Sequence, residues 1–99
     1  MTYTVRLHPE AEAEFRALDG RQKLLIVKKL RQLETKPLLG KELGNKAGMD
    51  LSGYRKLYAD GTRIRIVYEV IENAVVVFIV AIGERDEMAV YRSAAKRVN

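Results

Sequence analysis

The stretch "RIRIVYEV", residues 63–70, decides how the chain is read. Ile64, Ile66, Tyr68 and Val70 occupy alternate positions, the period of a strand with one buried face. Arg63 and Arg65 stand on the other face, which raises the question of what guanidinium groups do there. Upstream, "YRKLY" (54–58) reads as a short strand, and the following "ADGT" holds Asp60-Gly61, a strong hairpin signal. The 63–70 strand is then the return arm of that hairpin. "IENA" (71–74) turns the chain again into "VVVFIVAIG" (75–83), a run apolar on both faces. Such a run predicts a central strand covered by helices on one side at least.

Towards the N-terminus, "TYTVRL" (2–7) alternates as a first strand. Pro9 suits the first turn of a helix in which Ala11, Phe15 and Leu18 form one stripe. Glu10, Glu12 and Glu14 fall near its favourable dipole end. Gly20 breaks this helix. A longer one follows from about Arg21 to Glu34, with Ile26, Leu30 and Leu33 inward and Lys28, Lys29 and Arg31 elsewhere, and Pro37 ends it. The pair reads as a helical hairpin. Residues 36–53 hold one Pro and four Gly and read as an irregular connection. Beyond the last strand, Asp86 is a candidate N-cap for a helix that puts Met88, Tyr91, Ala95 and Val98 at helical spacing. The expected fold class is α+β: an N-terminal strand, a helical hairpin packed on a mostly antiparallel four-stranded sheet, and a C-terminal helix, with the helices on one face.

The 99 residues are expected to form a single domain, residues 1–99, with little room for a deep enclosed site. No apolar run approaches bilayer-spanning length and the N-terminus lacks a signal-peptide block, so no membrane association and a cytoplasmic location are expected. The formal charge of +5 favours phosphate backbones or acidic protein surfaces as partners. Residues 1–50 carry ten Lys/Arg against seven Asp/Glu and residues 51–99 eight against six. With the charge so evenly spread, any basic site must be assembled by folding.

One histidine and no cysteine leave no basis for a transition-metal site or thiolate chemistry. Neither GxGxxG nor a Walker loop occurs. His8, just before a helix, reads as a strand-end residue and not as a triad member. What remains is arginine and tyrosine. Arg55 lies on the outgoing arm of the hairpin, Arg63 and Arg65 on the return arm, and Arg85 just after the last strand. If these strands are neighbours, Arg65 and Arg85 converge on one face, where guanidinium forks match phosphate oxygens. The bland alternatives are that strand arginines keep a face soluble, that Tyr91 is a core ring, and that Lys28, Lys29 and Arg31 form a solvated face.

"LSGYRKLYADGTRIRIVYEV" followed by "VVVFIVAIGERDEMAVYRSAAKR" resembles the RelE branch of the RelE/ParE toxins of toxin–antitoxin pairs, most specifically at "RIVYEV", "IGERDEMAVY" and the closing "AAKR". The resemblance implies an endoribonuclease (mRNA interferase) that cleaves messenger RNA in the ribosomal 30S A site, with no cofactor or metal, and an antitoxin partner in a hetero-oligomer. Carried over position by position, it implies catalytic roles for Arg55, Arg65, Arg85 and Tyr91. Lys56, Arg63, Lys28 and Lys29 are the further basic residues expected to bind RNA. Leu57 stands where the family often has a second basic residue. With Arg55 on the site face, Lys56 points to the other side of the sheet. The alternatives within the same fold are a ParE-like DNA gyrase inhibitor and a catalytically degenerate antitoxin-binding member.

Overall fold

Strict alternation along the hairpin return arm places Ile64, Ile66 and Tyr68 in full burial, and the rest of the molecule is arranged about that strand. The computed structural model describes residues 2–46, 48–84 and 89–97. Its elements are β1 (Thr4–Leu7), α1 (Pro9–Arg16), α2 (Gly20–Thr35), β2 (Lys41–Lys46), β3 (Met49–Ala59), β4 (Ile64–Ile71), β5 (Val76–Glu84) and α3 (Ala89–Arg97). The sheet order is β1-β5-β4-β3-β2. β1 runs parallel to β5 and every other neighbour is antiparallel.

The helical hairpin forms where the sequence indicates. His8 caps α1, its Nδ1 accepting the Glu10 amide at 3.1 Å. Asp19 caps α2, its Oδ1 accepting the Gln22 amide at 2.7 Å. These acceptors satisfy amides that a helix start otherwise leaves unpaired. Ala11, Ile26 and Leu33 then pack with Ala59, Ile64, Ile66, Tyr68, Val77, Ile79 and Ile82 in one core.

Two expectations are corrected. The sheet has five strands, because residues 36–53 are not an irregular connection: they contain β2 and the first half of an 11-residue β3. Gly44, Gly48 and Gly53 adopt φ of 71°, 82° and 86°, so the glycines shape the turn and a bulge inside a strand pair instead of interrupting it. The helices also cover both faces. α3 packs on the side of the sheet opposite the helical hairpin, with Val90, Tyr91 and Ala94 against Leu43, Leu51, Val67, Val80 and Ala81. The double-sided apolar run of β5 has its cause in these two layers.

The phase of β5 changes midway. Tyr68 pairs with Ile79, yet Val67 pairs with Ala81, so the ladder absorbs one extra residue. Val80 and Ala81 both belong to the α3-side cluster, whereas Ile79 and Ile82 belong to the hairpin-side core. This bulge sets which residue stands beside Arg65.

Candidate nucleic-acid interface

β3 and β4 pair so that Tyr58 lies opposite Arg65, Lys56 opposite Val67 and Tyr54 opposite Glu69. Cross-strand partners share a face. Since Val67 belongs to the cluster under α3, this whole set lies on the α3 side. On its other flank Arg65 pairs with Gly83, which presents no side chain to it. A Cβ at Gly83 would approach the Val90 Cβ to 3.2 Å, so glycine there also lets α3 sit close to the strand.

The arginine is framed by aromatic rings. Its guanidinium carbon lies 5.6 Å from the centroid of the Tyr58 ring and 5.2 Å from that of Tyr91. Lys56 Nζ lies 5.2 Å from the Tyr58 centroid and donates to the Tyr58 hydroxyl at 3.2 Å. Each cation–ring contact contributes about 0.5–2 kcal/mol, more as water is excluded. Tyr91 is only 1% exposed, so its ring acts as a backing for Arg65 and is covered from base stacking in this arrangement. At the far end of the stripe, burial and then the hydrogen bond to Glu69 push the Tyr54 phenol up to about 12. Its hydroxyl therefore stays protonated and serves as a donor.

The sequence-derived residues divide between locations. Arg65 and Tyr91 meet, and Lys56 joins them. Arg55 does not. It lies opposite Tyr68, on the helical-hairpin face, where its Nη1 donates to the Gly40 carbonyl at 2.7 Å and its Nη2 to Glu42 Oε1 at 3.2 Å. Arg55 is thus committed to the segment that links α2 to β2. Tyr68 completes that lock: its hydroxyl accepts the Gly40 amide at 2.8 Å and donates to the Pro37 carbonyl at 2.9 Å. The expectation that Lys56 points away from the site is reversed for the same reason, since adjacent strand residues alternate.

Arg63 precedes β4, in the turn, and lines a shallow pocket with Gln22, Thr62 and Glu84. Lys28 and Lys29 are on α2, across the sheet from Arg65. These three do not join the Arg65 cluster. Arg85, the Asp86 cap and Met88 lie outside the described residues, as does Val98. Tyr58 is the residue that sequence reasoning missed. The signal was available, because a four-residue turn from Asp60 to Arg63 pairs Ala59 with Ile64 and hence Tyr58 with Arg65.

A two-layer cover on a five-stranded sheet, with a cation held among tyrosines under a C-terminal helix, defines a class. The chain belongs to the RelE/ParE family of toxins from type II toxin–antitoxin systems; residues 5–89 match the family model described as ParE toxin of type II toxin–antitoxin system, parDE. It is similar to the mRNA interferase toxin RelE of Escherichia coli K12, with 33% identity over 98 residues and 99% of both chains covered. Among solved structures, an arginine-substituted E. coli RelE in the free state superposes with a TM-score of 0.78 at 29% identity, covering 100% of both chains. The toxin–antitoxin complex RelBE2 of Mycobacterium tuberculosis gives a TM-score of 0.72 at 25% identity, covering 86% of this chain and 100% of the matched one.

Proposed function

We propose that the protein is a ribosome-dependent endoribonuclease that cuts messenger RNA in the A site without a metal ion and thereby stops translation in the cytoplasm. The observation that carries this reading is the Arg65 guanidinium set 5.2 Å from the Tyr91 ring and 5.6 Å from the Tyr58 ring, with Lys56 beside them. RNA can be cleaved by attack of a 2′-OH on the adjacent phosphorus. The P–O2′ bond forms, the P–O5′ bond breaks, and the products are a cyclic phosphate and a 5′-OH. Negative charge gathers on the phosphoryl oxygens in the transition state, where a preplaced guanidinium and ammonium stabilise it. Arg65 and Lys56 take that role, and Arg85 is proposed to join them from the sequence. Similarity to an mRNA interferase over the whole chain supports the substrate class. One histidine and no cysteine in the sequence are consistent with chemistry that uses no transition metal. The ribosome would supply the alignment of the 2′-OH that a shallow site lacks.

The proposed protein partner is an antitoxin, as in the solved RelBE complexes of relatives. The outer face of α2 offers a surface for it. Leu24, 68% exposed, sits with Leu25 and Val27 between Arg21, Lys28 and Arg31, a groove that suits an acidic amphipathic segment. A ParE-like action on DNA gyrase is the second reading, favoured by the description of the matching family model.

Brief induction without an antitoxin, followed by mapping of messenger RNA ends, separates them. Codon-phased cuts in translated messages are expected. Intact messages with a DNA-damage response would overturn the nuclease reading in favour of gyrase.

A further inference from the structure

β1 ends too soon. It pairs with β5 only from Val76 to Ile79, the last contact being the His8 amide donating to the Ile79 carbonyl at 2.8 Å. β5 runs on to Glu84, and among the described residues no strand follows its edge there. Two side chains take the strand's place. Glu14 Oε1, from α1, accepts the Ile82 amide at 3.0 Å. Arg97 Nη1, from α3 on the opposite face, donates to the Val80 carbonyl at 2.8 Å. The two are themselves joined as a fork, with Nη1 to Glu14 Oε1 at 2.8 Å and Nη2 to Oε2 at 2.9 Å, while Glu10 stands 3.7 Å from Nε.

We infer that Arg97 is a positioning residue for RNA cleavage, fixing α3 through the Glu14 fork so that Tyr91 seats Arg65. Arg97 and Tyr91 share one rigid helix, six residues apart or about 9 Å of axial rise. The packing surface of α3 is short and rich in alanine, with Val90, Tyr91 and Ala94 buried. Apart from the Tyr91 ring, its buried side chains are small and interdigitate little with the sheet, so they resist sliding and rolling poorly. A bidentate fork is directional, and this one, 9% exposed on the arginine side, locks both the height and the rotation of the helix. The hydrogen bond to Glu14 leads the causes that hold the Arg97 guanidinium above its ordinary range, and burial opposes it, so the arginine side of the fork stays charged. The large core lies on the other face of the sheet and involves neither residue. Loosening the fork should therefore displace Tyr91 while the domain stays folded.

This inference rests on the nuclease reading for its kinetic half, but its structural half can be read separately. Tyrosine nitration mapped by mass spectrometry should find Tyr91 protected in the wild type and reactive in Arg97→Ala. Arg97→Lys, which keeps charge without the fork, should fall between. A Leu33→Ala control, destabilised in the other core, should keep Tyr91 protected. On programmed ribosomes Arg97→Ala should lower kcat by about ten- to a hundredfold, with KM changed by less than about threefold. Tyr91 protected equally in Arg97→Ala and wild type, or an unchanged kcat, would overturn the role. A wild type that cuts no message sinks the nuclease reading alone, since the nitration pattern still decides whether the fork seats Tyr91.

Discussion

Arg55 and Arg65 occupy neighbouring strands of one hairpin, and the pleat sends them to opposite sides of the sheet. Arg55 gives its donors to carbonyls of the α2–β2 link and to Glu42. Arg65 lies between the rings of Tyr58 and Tyr91 beside a lysine. A guanidinium whose fork is spent on backbone carbonyls braces a fold. One held against two aromatic rings is instead placed by them on the α3 face of the sheet, beside Lys56.

The largest expected effect comes from setting the two substitutions side by side. Arg65→Ala should lower kcat about 10²- to 10³-fold, the usual result of deleting one transition-state donor, in a protein that still folds. Arg55→Ala should do the reverse, keeping kcat in the folded fraction and lowering stability by about 1–3 kcal/mol through unpaired, half-buried acceptors. Single-turnover cleavage on ribosomes and urea titration check both halves. A loss of kcat in Arg55→Ala equal to that in Arg65→Ala would erase the distinction.

The bracing side can be tested by itself. Gly40→Ala would drive a Cβ into the Lys56 carbonyl and to 2.8 Å from the Tyr68 hydroxyl. Overpacking of this kind costs about 1–3 kcal/mol. Tyr68→Phe should cost about 1–2 kcal/mol, since the buried Gly40 amide loses its acceptor. Chemical denaturation of the two variants should preserve that order.

The smallest expected effect lies on the other face and at high pH. The Tyr54 phenol is raised in the folded state to about 12, from an ordinary value of 10.0. Its stabilising contribution is therefore complete below the unfolded-state value and is lost as pH rises through the folded one. Stability measured across that alkaline window should decline more gently in Tyr54→Phe than in the wild type. Identical slopes would remove the raised Tyr54 phenol, with burial as its leading cause, from the account.

How far the sequence carried depended on what could be counted. Alternation along 64–70 is a local property and identified Ile64, Ile66 and Tyr68 as buried and Arg65 as facing the other side. It missed Val67, which α3 buries on that other face, and Val70 is only half-buried. Both helices of the hairpin followed from their stripes and from Pro9 and Pro37, but Gly20 opens α2 and does not break α1, which ends at Arg16. Arg55 and Lys56 were exchanged because their faces depend on register across the Asp60–Arg63 turn, and one residue of slip inverts every side chain. β2 was hidden by its glycines, which sequence rules treat as interruptions even where a strand pair uses positive φ to bend. The fork of Glu14 and Arg97 joins residues 83 apart in the chain, and no periodicity could have announced it.

The extra residue in β5 has a consequence for how this sheet tolerates change. Continuing the Tyr68–Ile79 register without interruption would set Arg65 against Ile82, whereas the observed partner is Gly83. A branched aliphatic group would then crowd the guanidinium, and the glycine that admits α3 would fall out of place. Removing any one residue between Ile79 and Gly83 should thus injure a remote loop less than the cleft itself, even if every atom that touches RNA were kept. Length, in this short span, is under the same constraint as chemistry.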